Sequence, residues 1–250
     1  MIFSILSPSK TSLQRELISS NSDLPQKTKI HASQCRVNYS LDTAMSESVR
    51  QTITAGLSYL DLDSDPHQID QAIKYLNLLE KWNRTYNLVA QTSTKELVTR
   101  HLLDSLSINK HIEGNHILDL GSGGGLPGVP LAIFNPSKKF TLLDSNGKKT
   151  RFLSHVKTDL KLKKVVVENS RVESYQCKDQ IDMVVCRALA SLSEIVEKAK
   201  HLLRHNCKIL AMKGRFPSDE ISQLPRGDRV VNSFKLDVPR TVSRRHLIGV

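Results

Sequence analysis

Short apolar runs separated by longer amphipathic segments dominate the chain from residue 116 onward. The segments 146–160 and 191–203 are predicted helices. The apolar runs are candidate strands, at 116–120, 139–144, 164–168, 181–186, 207–212, 230–236 and 245–250. Strands that alternate with helices form parallel sheets. The pattern therefore predicts an α/β fold built on a seven-stranded, mostly parallel, doubly wound sheet.

Residues 45–113 show helical periodicity and no strand pattern. Asp65-Pro66 supplies an N-cap and a first-turn proline. The helix that follows places apolar side chains on one face, at Ile69, Ala72, Ile73, Leu76, Leu79 and Trp82. The polar run 83–87 is predicted to end this helix. Because this part is too short to form its own core, we predict a helical cap packed on a core of residues 114–250, with Trp82 as a core anchor.

Residues 1–44 lack periodicity and are rich in Ser, Thr, Asn and Gln, so we predict a disordered leader or an upstream extension. The first residues lack the basic flank and the cleavage site of a secretory signal. No apolar run approaches the ~18 residues that span a bilayer. The four cysteines lack CxxC spacing and histidines at ligand distance. These features favour a cytoplasmic protein with reduced thiols, no metal and no membrane contact.

The net charge of +11 lies in the second half of the chain. Residues 145–250 contain 22 Lys/Arg against 11 Asp/Glu, whereas the residues before them are nearly balanced. Such an excess indicates a polyanionic partner, RNA or DNA. A solvated basic surface without a partner gives the same count and stays open.

The stretch 116–128 carries a buried strand that runs into a glycine-rich turn. In one frame, Asp-x-Gly-x-Gly-x-Gly starts at Asp119, with Gly121 and Gly123 as its first glycines, a spacing typical of S-adenosylmethionine-dependent methyltransferases. In another frame, Gly-x-Gly-x-x-Gly starts at Gly123 and matches a dinucleotide fingerprint, but it lies away from the strand end and contains Pro127. The first frame is favoured because S-adenosylmethionine has no phosphate and needs only close backbone approach. A nicotinamide-dependent oxidoreductase and a turn without a ligand stay open.

Two further positions fit the same crevice of a doubly wound sheet. Asp144 ends the second strand about one βα unit after the turn, where a carboxylate can accept both ribose hydroxyls. Residues 171–173 follow the third strand, where a methyltransferase sheet places adenine-contacting groups, although a solvated loop is the alternative. The predicted cofactor contacts are Gly121, Gly123, Asp144, Val172 and Glu173.

The residues at the end of the predicted fourth strand limit the kinds of atom that the protein could methylate. It lacks the Pro-Pro-aromatic turn of enzymes that methylate exocyclic amines. Cys186 lacks the Pro-Cys setting of a thiolate that methylates pyrimidine carbon, so we interpret it as a small buried strand residue. Arg187 needs a partner, because an unpaired arginine at a buried strand end is costly. A cofactor carboxylate, a phosphate or guanine O6 are its candidate partners, which makes Arg187 the candidate catalytic residue.

A ring nitrogen such as guanine N7 has a free lone pair and can attack a methyl group without a general base. Catalysis would then rest on the alignment of the reacting atoms and on dipoles matched to the shifting positive charge. The sequence shows no obvious catalytic dyad, which agrees with this hypothesis. The alternative is a non-catalytic RNA-binding or ribosome-associated factor that keeps the fold.

An ordered set of segments, from about residue 45 to the end, resembles the bacterial 16S rRNA guanine-N7 methyltransferases. The glycine turn alone does not distinguish this family from other families, whereas the ordered set of segments does. The segments are Trp82-Asn83-x-x-x-Asn87-Leu88, Arg100-His101-Leu102-Leu103-Asp104-Ser105, Asp119-x-Gly121-x-Gly123-x-Gly125-Leu126-Pro127-Gly128, Thr141-Leu142-Leu143-Asp144-Ser145, Lys148-x-x-Arg151-Phe152-Leu153, Ser170-Arg171-Val172-Glu173, Arg187-Ala188, Met212-Lys213-Gly214 and Arg245-His246-Leu247.

The resemblance implies a Rossmann-like fold and transfer of a methyl group from S-adenosylmethionine to a guanine in the decoding-region loop of 16S rRNA, naked or within the small subunit. We expect a monomer. The family's cofactor-contacting positions match Gly121, Leu126, Val172, Glu173 and Arg187. Its basic cleft positions match Arg100, His101, Lys213 and Arg245. Residues 1–44 have no family counterpart, and Gly124 stands where relatives often have proline.

Overall fold

A seven-stranded sheet forms the centre of the computed structural model, which describes residues 47–91, 93–203, 207–224, 230, 232–241 and 244–250. The strands are β1 His116–Leu120, β2 Lys139–Asp144, β3 Val165–Asn169, β4 Met183–Arg187, β5 Lys208–Lys213, β6 Asn232–Leu236 and β7 Arg245–Gly249. Their spatial order is β3-β2-β1-β4-β5-β7-β6, and only β7 runs antiparallel to its neighbours. The predicted mostly parallel sheet is confirmed. The predicted leader, 1–44, lies outside the described residues.

Half of the described helices precede β1 in sequence, and the other half lie between strands. They are α1 at residues 47–59, α2 Pro66–Tyr86, α3 Thr94–Leu97, α4 Asp104–Leu106, α5 Gly128–Phe134, α6 Gly147–Asp159, α7 Leu192–Ala199 and α8 Ser218–Ser222. A π-helical turn, Val98–Leu103, joins α3 to α4, and 3-10 turns occupy Asn109–His111, Val172–Ser174 and Lys200–Leu202. Within the described ranges, no helix combines the length and apolar character needed to cross a membrane.

Helix α2 starts as predicted and continues through most of the run that is predicted to end it. The Asp65 carboxylate accepts a hydrogen bond from Gln68 N at 2.8 Å, and Pro66 follows in the first turn. Helix α2 ends within the predicted run 83–87, but only at Tyr86, with Asn87 as its C-cap. Asn83 is buried, and its side-chain oxygen accepts a hydrogen bond from Val89 N at 2.9 Å. The polar residue thus faces inward, and the helix continues to Tyr86.

Strand side chains alternate between two apolar cores, one on each face of the sheet. Phe140 and Leu142 of β2 lie in the larger core, which also holds apolar residues of α1, α2, α5 and α6. Leu143 of the same strand lies in the smaller core, with apolar residues of α7. Burial on both faces explains why the central strands are nearly continuous apolar runs.

Helix α2 packs on α5 and α6, which cover one face of the sheet. Gln68 Nε2 donates to Ile133 O at 3.0 Å, and Gln71 Nε2 donates to Leu160 O at 2.7 Å. Trp82 packs against the larger core, with its ring centroid 5.5 Å from that of Phe152, as predicted for an anchor. Residues 48–250 form one compact unit, and the domain limits 45–113 and 114–250 stay a prediction.

The exact strand limits matter for the site. Strand β4 starts at Met183, later than predicted, and includes Arg187 as its last residue. Strand β5 likewise includes Lys213. In the parallel register Arg187 pairs with Met212, the residue before Lys213. Both basic side chains therefore extend from the carboxyl ends of neighbouring strands, where ligands bind in open α/β sheets.

Candidate active site

The glycine turn folds tightly against the end of β2. Gly121 N and Ser122 N both donate to Leu143 O, at 2.9 and 3.0 Å. Gly121, Gly123 and Gly125 have φ of 71°, 57° and 88°, a region that side chains other than glycine rarely adopt. A Cβ on Gly123 would meet nothing closer than 3.8 Å, so that side of the turn is open.

The start of α5 offers no free amide to a phosphate. Gly128 N donates to Asp119 Oδ2 at 3.0 Å, and Val129 N donates to Gly125 O at 2.8 Å. Pro130 has no N–H, and Leu131 N donates to Pro127 O. A dinucleotide site needs free amides at this helix start for its pyrophosphate. The arrangement disfavours the dinucleotide frame and favours the methyltransferase frame.

Tyr75 of α2 stabilises the glycine turn through a hydrogen bond. Its hydroxyl donates to Gly124 O at 2.6 Å, and its side chain is fully buried. Burial raises the pKa of Tyr75 well above its ordinary value, so the hydroxyl stays a donor. The sequence analysis missed this residue because it considered only aliphatic and Trp positions on the apolar face of α2, although Tyr75 lies on that same face between Ala72 and Leu79.

Replacing Tyr75 by phenylalanine should lower the free energy of unfolding by about 1–3 kcal/mol, because it leaves the Gly124 carbonyl buried without its donor. Urea denaturation at pH 7 measures the change. Tyr86→Phe is the control, since the Tyr86 side chain is 40% exposed and its loss of a hydroxyl should cost less than about 0.5 kcal/mol. Equal stability of the Tyr75→Phe variant and the wild type would show that this hydrogen bond does not support the turn.

Asp119, the next-to-last residue of β1, is completely buried. Its Oδ2 accepts the Gly128 N–H, whereas Oδ1 has no hydrogen-bond partner within the described ranges. Burial raises the pKa of Asp119 to about 7, because the charged carboxylate is poorly solvated there. The Asp119 side chain therefore accepts the N–H of the first residue of α5, and it becomes charged only near neutral pH.

This raised pKa makes stability fall as pH rises from about 4 to about 7. In that window the folded chain holds a proton that the unfolded chain has lost, so deprotonation favours unfolding by at most about 4 kcal/mol. Asp119→Asn resembles the protonated acid and should remove this dependence. We expect the free-energy difference between variant and wild type to shift in the variant's favour between pH 5 and pH 8, measured by urea denaturation. A difference that is constant with pH would contradict the assignment.

Asp144 lies directly beside the turn, as the sequence predicts. Its Oδ2 accepts from Gly123 N at 2.9 Å and its Oδ1 from Asn146 N at 2.8 Å. Each carboxylate oxygen can accept a second hydrogen bond. Val172 and Glu173 lie in the 3-10 turn after β3, the neighbour of β2, with the Glu173 side chain half-exposed. The predicted cofactor positions therefore line up along the carboxyl ends of adjacent strands.

Arg187 has found a partner within the protein. Its Nη1 donates to Asp104 Oδ2 at 2.9 Å and to Arg100 O at 3.1 Å. Asp104 Oδ1 accepts in turn from Arg245 Nε at 2.7 Å. The sequence analysis considered only ligands as partners, whereas one nearly buried carboxylate, 3% exposed, holds both guanidinium groups. Cys186 beside it is buried, which confirms its interpretation, and burial raises the pKa of its thiol to about 12.

The four basic cleft positions of the sequence analysis come together with Arg187. They line a cleft of about 420 Å³ formed by Arg100, His101, Asp104, Arg187, Ala188, Met212, Lys213, Gly214 and Arg245. Lys213 Nζ donates to Glu220 Oε2 at 2.6 Å, and the Arg100 guanidinium lies 3.3 Å from Glu96 Oε1. Much of the cleft's positive charge is therefore paired inside the protein.

His101 is a neutral lining residue and not a basic one. Burial, followed by the charge of Arg187, lowers the pKa of His101 to about 4. Its Nδ1 accepts a hydrogen bond from Arg187 Nη2 at 3.3 Å, so the proton lies on Nε2, which is buried without a partner in the described structure. The π-helical turn Val98–Leu103 carries this residue, and such turns occur frequently at functional sites.

The residues after Arg187 connect the cleft to the glycine turn. Ala188 has a φ of 50°, a strained value for a residue with a Cβ. The next residue, Leu189, lies against the turn: a Cβ on Gly121 would lie 2.5 Å from Leu189 Cδ1, and Leu189 is 41% exposed. The sequence analysis named Asp104 only within the family segment 100–105 and gave it no role, and it did not identify Leu189, because neither contact follows from a local pattern.

A family model described as rRNA small subunit methyltransferase G matches residues 68–248. A Nitrosococcus oceani protein named ribosomal RNA small subunit methyltransferase G is 47% identical over 193 residues, 77% of this chain and 90% of that one. A Pseudomonas syringae pv. syringae protein of the same name is 46% identical over 198 residues, 79% of this chain and 92% of that one. A third, from Pseudomonas paraeruginosa, is 45% identical over 207 residues, 82% of this chain and 97% of that one.

The residues matched by the family model include every part of the site, from Tyr75, which contacts the glycine turn, to Arg245 in the cleft. The relatives are matched over nearly their full length. The chain therefore belongs to the rRNA small subunit methyltransferase G family.

Proposed function

We propose that this protein transfers a methyl group from S-adenosylmethionine to N7 of a guanine in 16S rRNA. The observation that carries the proposal is the position of the β4 end, which joins the two halves of the site. Arg187 lines the cleft, and Leu189 lies against Gly121 of the glycine turn. A donor on the turn and an acceptor in the cleft would meet across this strand end. The names of the relatives support small-subunit rRNA as the substrate class.

The residues at the turn fit a cofactor without a phosphate. Gly123 leaves open space, and Asp144 keeps acceptor capacity for two ribose hydroxyls. Val172 and Glu173 would meet the adenine edge. The Leu126 side chain is buried in the larger core, so we assign only its backbone to the cofactor, as for Gly121. When bound, S-adenosylmethionine supplies an electrophilic methyl group on a sulfonium centre.

The cleft suits an acceptor that needs no proton removed. Guanine N7 has a free lone pair in the neutral base, so no general base is required. His101 is neutral, and Lys213 and the two arginines of the Asp104 pair are engaged as fixed positive groups. We assign Arg187 the role of orienting the guanine O6 edge or the cofactor carboxylate by charge-assisted hydrogen bonds.

The same region disfavours the other methylation chemistries. The burial that raises the pKa of Cys186 to about 12 keeps it from serving as a thiolate nucleophile for carbon methylation. The β4 end presents Arg-Ala-Leu in place of a Pro-Pro-aromatic turn, so it lacks the carbonyl arrangement that receives an exocyclic amine. These two features support a ring nitrogen as the acceptor.

Incubation with methyl-labelled S-adenosylmethionine and small-subunit rRNA from undermethylated cells tests the proposal. We expect label in 16S rRNA, supplied either as naked RNA or as assembled subunits, and saturable cofactor binding by calorimetry. RNA binding without cofactor binding or label transfer would favour a non-catalytic RNA-binding factor. Saturable NAD(P) binding in its place would favour an oxidoreductase.

A further inference from the structure

A second groove continues from the cleft along the last two strands. It has a volume of about 940 Å³ and is lined by Gly214, Arg215, Phe216, Lys235, Arg244, Arg245 and His246. Gly214 and Arg245 also line the cleft that contains Arg187, so the two spaces adjoin. We call this space, with the residues just given, the Phe216 groove.

The Phe216 groove contains cations that the protein leaves unpaired among its described residues, whereas those of the cleft are largely paired. In the cleft, Asp104 and Glu220 pair with the arginines and with Lys213. No acidic residue lines the groove, and its Arg215, Lys235 and Arg244 form no ion pair with any residue that the structure describes. The groove therefore presents three free cations to a ligand that extends beyond the cleft.

An aromatic pair lies among these cations. Phe216 is 48% exposed, an unusual degree for a large apolar side chain. Its ring lies edge-on to that of His246, with centroids 5.6 Å apart and planes at 75°. His246 Nδ1 lies 3.3 Å from Gly214 O, to which it can donate, and this contact fixes the ring that supports Phe216. The groove thus holds an exposed aromatic ring in place beside free positive charge.

Aromatic rings interleaved with cations are the composition that binds single-stranded nucleic acid, because unpaired bases stack on the rings while phosphates meet the cations. A duplex keeps its bases stacked on each other and offers only its backbone to such a groove. An acidic peptide would use the cations but would leave the Phe216 ring without a stacking partner.

We propose that the Phe216 groove binds the single-stranded RNA next to the nucleotide in the cleft, with one unpaired base stacked on Phe216 and its flanking phosphates on Lys235, Arg244 and Arg215. This inference rests on the proposed function, because it assumes that RNA occupies the cleft. It adds a second point of contact that would set which unpaired segment is presented for methylation.

Fluorescence anisotropy with a labelled single-stranded oligoribonucleotide and with its duplex tests the stacking part. Phe216→Ala should weaken binding of the single strand by roughly tenfold and binding of the duplex by less than about twofold. Phe216→Trp should retain the affinity and show fluorescence quenching on binding. The matched control is Tyr59→Ala: Tyr59 is 56% exposed but hydrogen-bonds the Asp237 carboxylate, which repels a polyanion, so both affinities should stay unchanged. Unchanged single-strand affinity of Phe216→Ala, or an equal loss for both RNAs, would overturn the stacking role.

Salt titrations test the phosphate contacts. Lys235→Ala and Arg244→Ala should each reduce the slope of log affinity against log salt by about 0.7 for the single strand. Arg84→Ala, an exposed arginine on α2 outside both spaces, should leave the slope unchanged. Unchanged slopes for Lys235→Ala and Arg244→Ala, or an acidic peptide that competes with RNA and loses no affinity in Phe216→Ala, would overturn the RNA assignment.

Cofactor calorimetry separates this inference from the proposed function. Phe216→Ala should bind S-adenosylmethionine as the wild type does, because the residue lies outside the turn. Absence of cofactor binding by the wild type would contradict the methyltransferase proposal. A loss of affinity for single-stranded RNA alone in Phe216→Ala would still support RNA binding in the groove. Loss of cofactor binding in Phe216→Ala would contradict the placement of the groove outside the donor site.

Discussion

Replacing Asp104 by asparagine is expected to lower kcat for rRNA methylation by about a hundredfold or more, because a shift of about 1 Å at a reacting centre has effects of that size. Asp104 is 3% exposed and balances both Arg187 and Arg245, through hydrogen bonds of 2.9 and 2.7 Å. An asparagine removes the charge and turns an amide N–H₂ toward one of the two donors. The guanidinium groups would then repel each other and leave their positions at the cleft.

The matched control for this prediction is Asp179→Asn, which breaks an exposed ion pair with Lys139 and should leave kcat unchanged. Asp104→Glu keeps the charge and should retain more activity than Asp104→Asn. Thermal unfolding identifies any loss that is caused by instability. A folded Asp104→Asn variant with wild-type kcat would show that the shared carboxylate supports only the structure.

Gly121→Val is expected to weaken S-adenosylmethionine binding by at least about a hundredfold. Backbone strain and lost contacts should cost a few kcal/mol of binding free energy, which corresponds to that loss of affinity. Gly121 has a φ of 71°, which a β-branched residue adopts only at high cost. Its new Cβ would lie 2.5 Å from Leu189 Cδ1 and would push that side chain into the space above the turn. Isothermal titration calorimetry measures the loss.

Gly249→Ala provides the control for Gly121→Val, because a Cβ at Gly249 meets nothing closer than 3.6 Å and its φ lies outside the left-handed region. This variant should bind the cofactor as the wild type does. If a folded Gly121→Val variant kept wild-type affinity, the glycine turn would not be the donor site, and the methyltransferase frame would lose its physical basis.

Features set by neighbouring residues were predictable from sequence. The sheet follows from short apolar runs, and the turn from glycines directly after a buried strand. Asp144 lies 2.9 Å from the turn because adjacent parallel strands end at the same edge. The exact last residue of α2 was not predictable in this way, because Asn83 looks like a helix-breaking polar residue until its buried partner, Val89 N, is known.

The cleft depends on contacts between distant parts of the chain. Resemblance to a family brought together Arg100, His101, Lys213 and Arg245, but it did not indicate which charges are free. Asp104 lies 83 residues from Arg187 and 141 from Arg245, so no local pattern marks it as their shared partner. The neutral state of His101 arises from burial, which the sequence alone does not reveal.

The most direct test of the central claim is to map the labelled methyl group in 16S rRNA after reaction with this protein. Methylation at guanine N7 makes the imidazole ring cationic, so borohydride reduction followed by aniline cleaves the strand at that nucleotide. We expect the label at one guanine and aniline-dependent cleavage at the same position, with neither produced by the Gly121→Val variant. Label on another atom or another base, or cofactor binding without any transfer to undermethylated rRNA or subunits, would contradict the assignment.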